Sequence, residues 1–168
     1  MTTEIHHDAN PVRNRFADMS AHDQRAIVAL VEGLRTSSLA AHASYDEAAA
    51  EVRGDHRLRD FLRALALERL AFAGELGDLL VGFGAKAGPP AAFKSSLHRA
   101  WIDLRAFLEG HDPVALLSEC ERGEQAALDA YETALKRPLS LDVEAMLLDH
   151  ASAIREARAG LDRMRHPW

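Results

Sequence analysis

The chain has 168 residues, with 20 Lys and Arg against 26 Asp and Glu and a formal net charge of −6. That length bounds a single domain with a real core, and the acidic balance argues against nucleic acid as a partner, because a phosphate backbone needs a basic face. One cysteine, Cys120, excludes an intrachain disulfide, and no uncharged apolar run approaches the roughly 18 residues that suggest a membrane-spanning helix.

The lone cysteine is compatible with a reducing cytosol, and the first 20 residues contain no apolar secretory segment. The expectation is a cytoplasmic protein with no membrane or nucleic-acid partner. Abundant Ala, Leu, Arg and Glu, with little Val or Ile, favours helix over sheet. Residues 1–19 lack helical periodicity, contain Asn10-Pro11, and read as a mobile leader that includes His6-His7. The domain proper is expected over 20–166.

The first helix is expected over 21–52. Ser20 with Asp23 resembles a capping box, and Ile27, Leu30, Val31, Leu34, Ala41, Tyr45, Ala48 and Val52 form an apolar stripe. Gly54-Asp55 ends it, and Asp55 can cap a second helix over 56–83. The stripe of that helix is Leu58, Phe61, Leu62, Leu65, Phe72, Leu76, Leu79 and Phe83. Gly82, Gly84, Gly88, Pro89 and Pro90 break the pattern. A shorter helix over 92–109 carries Leu97, Trp101, Leu104 and Leu108. Asp112, with Pro113 at the first helical position, starts a third long helix that runs to Lys136. After Pro138 and Ser140 a fourth runs over 141–165. An 18-residue helix covers roughly 27 Å. Placed between the second and third long helices, it can return the chain along a bundle, and a single long crossover there is the ferritin-like arrangement. A five-helix array without a crossover is the alternative.

Polar residues interrupt the apolar stripes. Glu68 lies three residues after Leu65 and four before Phe72. Glu121 lies four after Leu117, Glu124 four before Leu128, and His150 three after Leu147 and four before Ile154. His42 lies close to the first stripe. All are helical neighbours of core positions. At 1.5 Å per residue, and with the first turn and the start of the third long helix at one end, these residues fall roughly 13–20 Å from that end. Four helices then contribute to one polar slab.

Buried carboxylates are costly unless paired, hydrogen-bonded or bound to a cation. One solution is a metal site built from Glu68, Glu121, Glu124, His150 and His42, whose oxygen and nitrogen donors suit iron, manganese or zinc. The inventory falls short of the two single Glu and two Glu-x-x-His pairs of a di-metal carboxylate bundle. Ala71 follows Glu68 by three, and Leu147 precedes His150 by three. The other solution is a polar network in which His42, His150, Arg69 and the hydroxyls of Tyr45 and Tyr131 satisfy the carboxylates and fix helix register. Cys120 reads as a buried thiol. No Gly-rich phosphate loop, nucleophile elbow or CxxC motif is present.

Three segments resemble a bacterial ferritin-like four-helix-bundle family of unknown function: Glu68-Arg69 with Phe72 and Glu75-Leu76; the run 97–105, which begins Leu97-His98-Arg99; and the run Glu119-Cys120-Glu121-Arg122-Gly123-Glu124 continuing to Tyr131-Glu132. The resemblance spans roughly 21–165 and implies a ferritin-like fold in a bacterial cytosolic protein. It supplies no activity. Gln125 stands where relatives commonly carry Asp, and Arg158 where they often carry His, which points to a further eroded ligand set. Two functions follow as expectations. One is a non-catalytic structural or interaction protein, homodimeric or stress-associated among the options. The alternative is a metal-binding ferritin-like protein that stores or oxidises iron or manganese, in which case it would be a metal-dependent oxidoreductase.

Overall fold

The computed structural model describes residues 16–85 and 112–166. Among them are four long helices, α1 (Ala21–Glu51), α2 (His56–Gly82), α3 (Pro113–Leu135) and α4 (Leu141–Arg165), and no strand. The bounds lie within a residue of those read from periodicity. The short helix expected over 92–109, with His98 and Trp101, lies outside the described residues.

Each helix begins at a side-chain cap. Ser20 accepts from the Asp23 amide at 3.1 Å, and its hydroxyl donates to the Asp23 carboxylate at 2.6 Å. Asp55 accepts from Leu58, Asp112 from Val114 and Ala115, and Ser140 from Val143. These bonds satisfy amides that a helix start leaves unpaired. Gly54, between α1 and α2, has φ of +82°, which suits a residue without a Cβ.

Two apolar clusters set the helix directions. The first joins Ile27, Val31 and Leu34 from the start of α1, Leu76 and Leu80 from the end of α2, Tyr131 and Ala134 from the end of α3, and Val143 and Leu147 from the start of α4. The second joins Tyr45 and Ala48, Leu58 and Leu62, Leu116 and Leu117, and Ala157 and Leu161, from the opposite helix ends. Helices α1 and α4 therefore run one way, and α2 and α3 the other. Helix α2 ends in the first cluster, whereas α3 begins in the second. The most extensive packing is within the hairpins α1–α2 and α3–α4, with α1 also meeting α3 and α2 also meeting α4.

Residues 16–19, the last part of the expected leader, are docked on the bundle. Phe16 stacks on Phe83 with centroids 4.2 Å apart. The Gln24 amide donates to the carbonyls of Phe16 at 2.9 Å and Met19 at 3.2 Å. No described helix is long and apolar enough to cross a membrane.

Candidate functional site

Between the two apolar clusters lies a polar middle. The buried positions of α2 run Leu58, Leu62, Leu65, Arg69, Phe72 and Leu76, a repeat of alternating four and three residues. That repeat places Arg69 in the core, 2% exposed, in a place the spacing from Leu65 to Phe72 had assigned to Glu68. Glu68 is displaced to the edge, with its side chain 36% exposed. On α3 the buried positions Leu117, Cys120, Glu124, Leu128 and Tyr131 are spaced three, four, four and three apart, so the strict alternation seen on α2 is broken there. Glu124 is 1% exposed, and Cys120 takes the core position expected for Glu121.

The Arg69 guanidinium organises the first polar layer. Its Nη2 donates to Glu124 Oε2 at 2.5 Å and its Nη1 to Glu68 Oε1 at 2.8 Å. The second oxygen of Glu124 accepts a short hydrogen bond from the Tyr45 hydroxyl on α1. Arg69 also lies over the Phe72 ring, 5.0 Å from its centroid, a geometry in which the ring face attracts the cation. Burial by itself would depress the Arg69 guanidinium, but the charge and hydrogen bond of Glu124 outweigh it and its pKa is raised. Burial, reinforced by Glu124, holds the Tyr45 phenol well above its ordinary range. The same two causes push the Cys120 thiol up to about 12. Tyr45 and Cys120 are therefore protonated at neutral pH, and Glu124 is matched by a cation.

A second layer is built around His150, which also meets the Phe72 ring. His150, 2% exposed, stacks on Phe72 with centroids 3.9 Å apart. Its Nδ1 is 3.0 Å from the Tyr131 hydroxyl and its Nε2 is 3.0 Å from Glu75 Oε2. Burial lowers the His150 pKa, opposed by the hydrogen bond and charge of Glu75. In the neutral ring Nε2–H donates to Glu75 and Nδ1 accepts from Tyr131, which satisfies both nitrogens. Burial pushes Tyr131 up to about 12, with Ser38 on α1 interacting with its hydroxyl. Ser38 in turn donates to the Leu34 carbonyl at 2.9 Å. This layer draws one side chain from each of the four helices.

The five residues expected as one ligand set do not meet. Glu68 and Glu124 share the Arg69 guanidinium, which stands between them. Glu121 turns to α4 and pairs with Arg165 at 3.1 Å. His42 reaches the Ala66 carbonyl on α2 at 2.9 Å. His150 is held by Tyr131 and Glu75. Among the described residues no group of three or more His, Cys, Asp or Glu side chains is placed to hold a metal ion. Glu75 was absent from the predicted site because it is solvent-facing, 54% exposed at its side chain, and reaches inward only at its tip. Ser38 follows Leu34 by four and precedes Tyr45 by seven, so the repeat could have found it.

Residues 25–137 match the family model described as Domain of unknown function (DUF2383). No curated protein matches the chain.

Proposed function

The chain belongs to the DUF2383 family, and we propose that it is a ferritin-like bundle acting as a non-catalytic structural or interaction protein, in which side-chain networks stand where related architectures could place a metal. The ferritin-like reading rests on the directions of α2 and α3. They run parallel, and the second helix ends at the opposite end of the bundle from the start of the third. Such a pair needs one long connection between two antiparallel hairpins.

The observation that carries the functional reading is Arg69 between Glu68 and Glu124. A guanidinium is always charged and presents a fixed fork of donors. Here it neutralises the most buried carboxylate among the described residues and contacts a second, the task a bound cation would otherwise perform. A metal ligand must offer its lone pair at about 2 Å, and both Glu124 oxygens are already engaged by Arg69 and Tyr45. Buried charge pairs are weak sources of net stability but can specify one arrangement over others, as single polar residues do for coiled-coil register. The two layers connect α1 to α2, α3 and α4, and a slip of any helix by one turn would leave a buried charge or ring nitrogen without its partner. The reading therefore assigns these layers to register.

Elemental analysis of untagged protein purified without chelator tests it. The expected result is no stoichiometric iron, manganese or zinc, in the parent or in a Glu124→Ala variant. Near-stoichiometric metal that the variant loses would overturn the reading in favour of a metal-binding protein.

A further inference from the structure

Among the described residues the seam between α1 and α3 is open. Ala41 on α1 faces Gly123 and Ala127 on α3, and these small side chains leave a groove of about 350 Å³ whose floor is formed by Tyr45, Glu124 and Cys120. Small-molecule sites typically run from roughly 300 to 1,000 Å³, with mainly apolar walls and a few polar groups that fix orientation. An apolar cavity of about 150 Å³ suffices for one benzene ring. The groove therefore has room for a fused bicyclic ring.

The charges around it select the ligand further. Burial keeps the Tyr45 phenol and the Cys120 thiol protonated. The Glu124 carboxylate is matched from behind by Arg69. Glu119, at the rim, pairs with Arg122. Among the described lining residues none is basic, so an anion finds no opposite charge there and meets two carboxylates. A cation would compete with Arg69 for a carboxylate that is already satisfied. What the floor does offer is an acceptor. Tyr45 gives its proton to Glu124, and its oxygen retains a free lone pair.

We propose that the α1–α3 groove binds a small, uncharged, mainly apolar molecule that carries one hydrogen-bond donor and is about the size of a fused bicyclic ring. The apolar body lies against the alanine walls, and the donor meets the Tyr45 oxygen. The proposal rests on the first polar layer, because Tyr45 and Glu124 form the floor of the groove; Gly123→Leu, which alters only the groove wall, separates its failure from failure of the register reading.

Indole has this size, this neutrality and a single N–H, and serves as the probe. Its binding is followed by backbone amide shifts of the full chain, with indole-3-carboxylate as the anionic counterpart. A blocking variant is available without loss of fold. A Cβ at Gly123 meets nothing within 4 Å, and Leu is the better helix former by close to 1 kcal/mol, so Gly123→Leu fills the groove and keeps the helix. The expected result is saturable shifts centred on 37–45 and 119–127, an affinity at least about tenfold weaker in Gly123→Leu, and a similar loss for the carboxylate probe. Absence of saturable shifts, an unchanged affinity in folded Gly123→Leu, or equal binding of the anion would each overturn the proposal.

Discussion

Arg69→Met isolates the first polar layer. The substitution keeps the length and apolar stem of the side chain and removes its charge. Glu124, 1% exposed, would then be left with Tyr45 alone. Removing one partner of a buried ion pair costs about 3–5 kcal/mol, because the other charge stays desolvated. Glu68 adds little, since its side chain is over a third exposed and returns to water. For a chain of this size each kcal/mol moves the melting temperature by about 2–4 °C, so a fall of about 6–20 °C is expected. Adding Glu124→Leu removes the orphaned charge and should recover most of the loss, since buried ion pairs are often replaced by apolar groups at no net cost. Tyr45 would then hold a buried hydroxyl without its acceptor, a residual cost of about 1–3 kcal/mol, which Tyr45→Phe removes. The assay is urea unfolding followed by far-ultraviolet circular dichroism, with the parent and the single, double and triple variants compared at a common slope. A single variant within about 1 kcal/mol of the parent, or a double variant less stable than the single, would refute the argument.

Three further outcomes follow. The His150 pKa is lowered in the folded chain, so the unfolded chain binds its proton first. Its contribution to stability is complete above about pH 6.5 and is lost as pH falls through the folded value; in His150→Gln, unfolding curves at a series of pH values should lack that component of acid sensitivity. Ser20→Ala and Asp55→Ala each remove a cap and should each cost about 1 kcal/mol. They sit at opposite ends of α1, so the double variant should be additive by chemical denaturation. A Cβ at Gly160 would lie 2.6 Å from the Phe61 ring, so Gly160→Val should cost about 1–3 kcal/mol through overpacking between α4 and α2, and Phe61→Ala in the same chain should recover part of it.

Helix positions were legible because the signals are local. Caps and breakers mark each start and stop, and residues spaced three or four apart line each core face. The inward placement of Glu124 and His150 was legible for the same reason. The first polar layer was misread by one residue on α2. Between Leu65 and Phe72, both Glu68 and Arg69 lie at helical spacing, and only the full repeat from Leu58 through Leu62 selects Arg69. Between Leu117 and Glu124 both Cys120 and Glu121 lie at helical spacing, and there strict alternation selects Glu121 whereas the structure buries Cys120. Partners were less legible still. That Glu121 meets Arg165, and His42 a backbone carbonyl, depends on interhelical rotation, which no single helix encodes. Glu75 lies off the buried stripe, and its pairing with His150 comes from reach rather than from periodicity.

On the proposed function, Arg69 rather than a bound ion neutralises Glu124. Thermal unfolding of chelator-treated protein, alone and with excess anaerobic ferrous iron, manganese or zinc, tests that claim most directly. A ligand at 100 times its dissociation constant adds about 2.7 kcal/mol, which in a chain of this size is an upward shift of about 5–10 °C. No upward shift is expected with any of the three ions. A shift of that size, lost in Glu124→Gln, would contradict it.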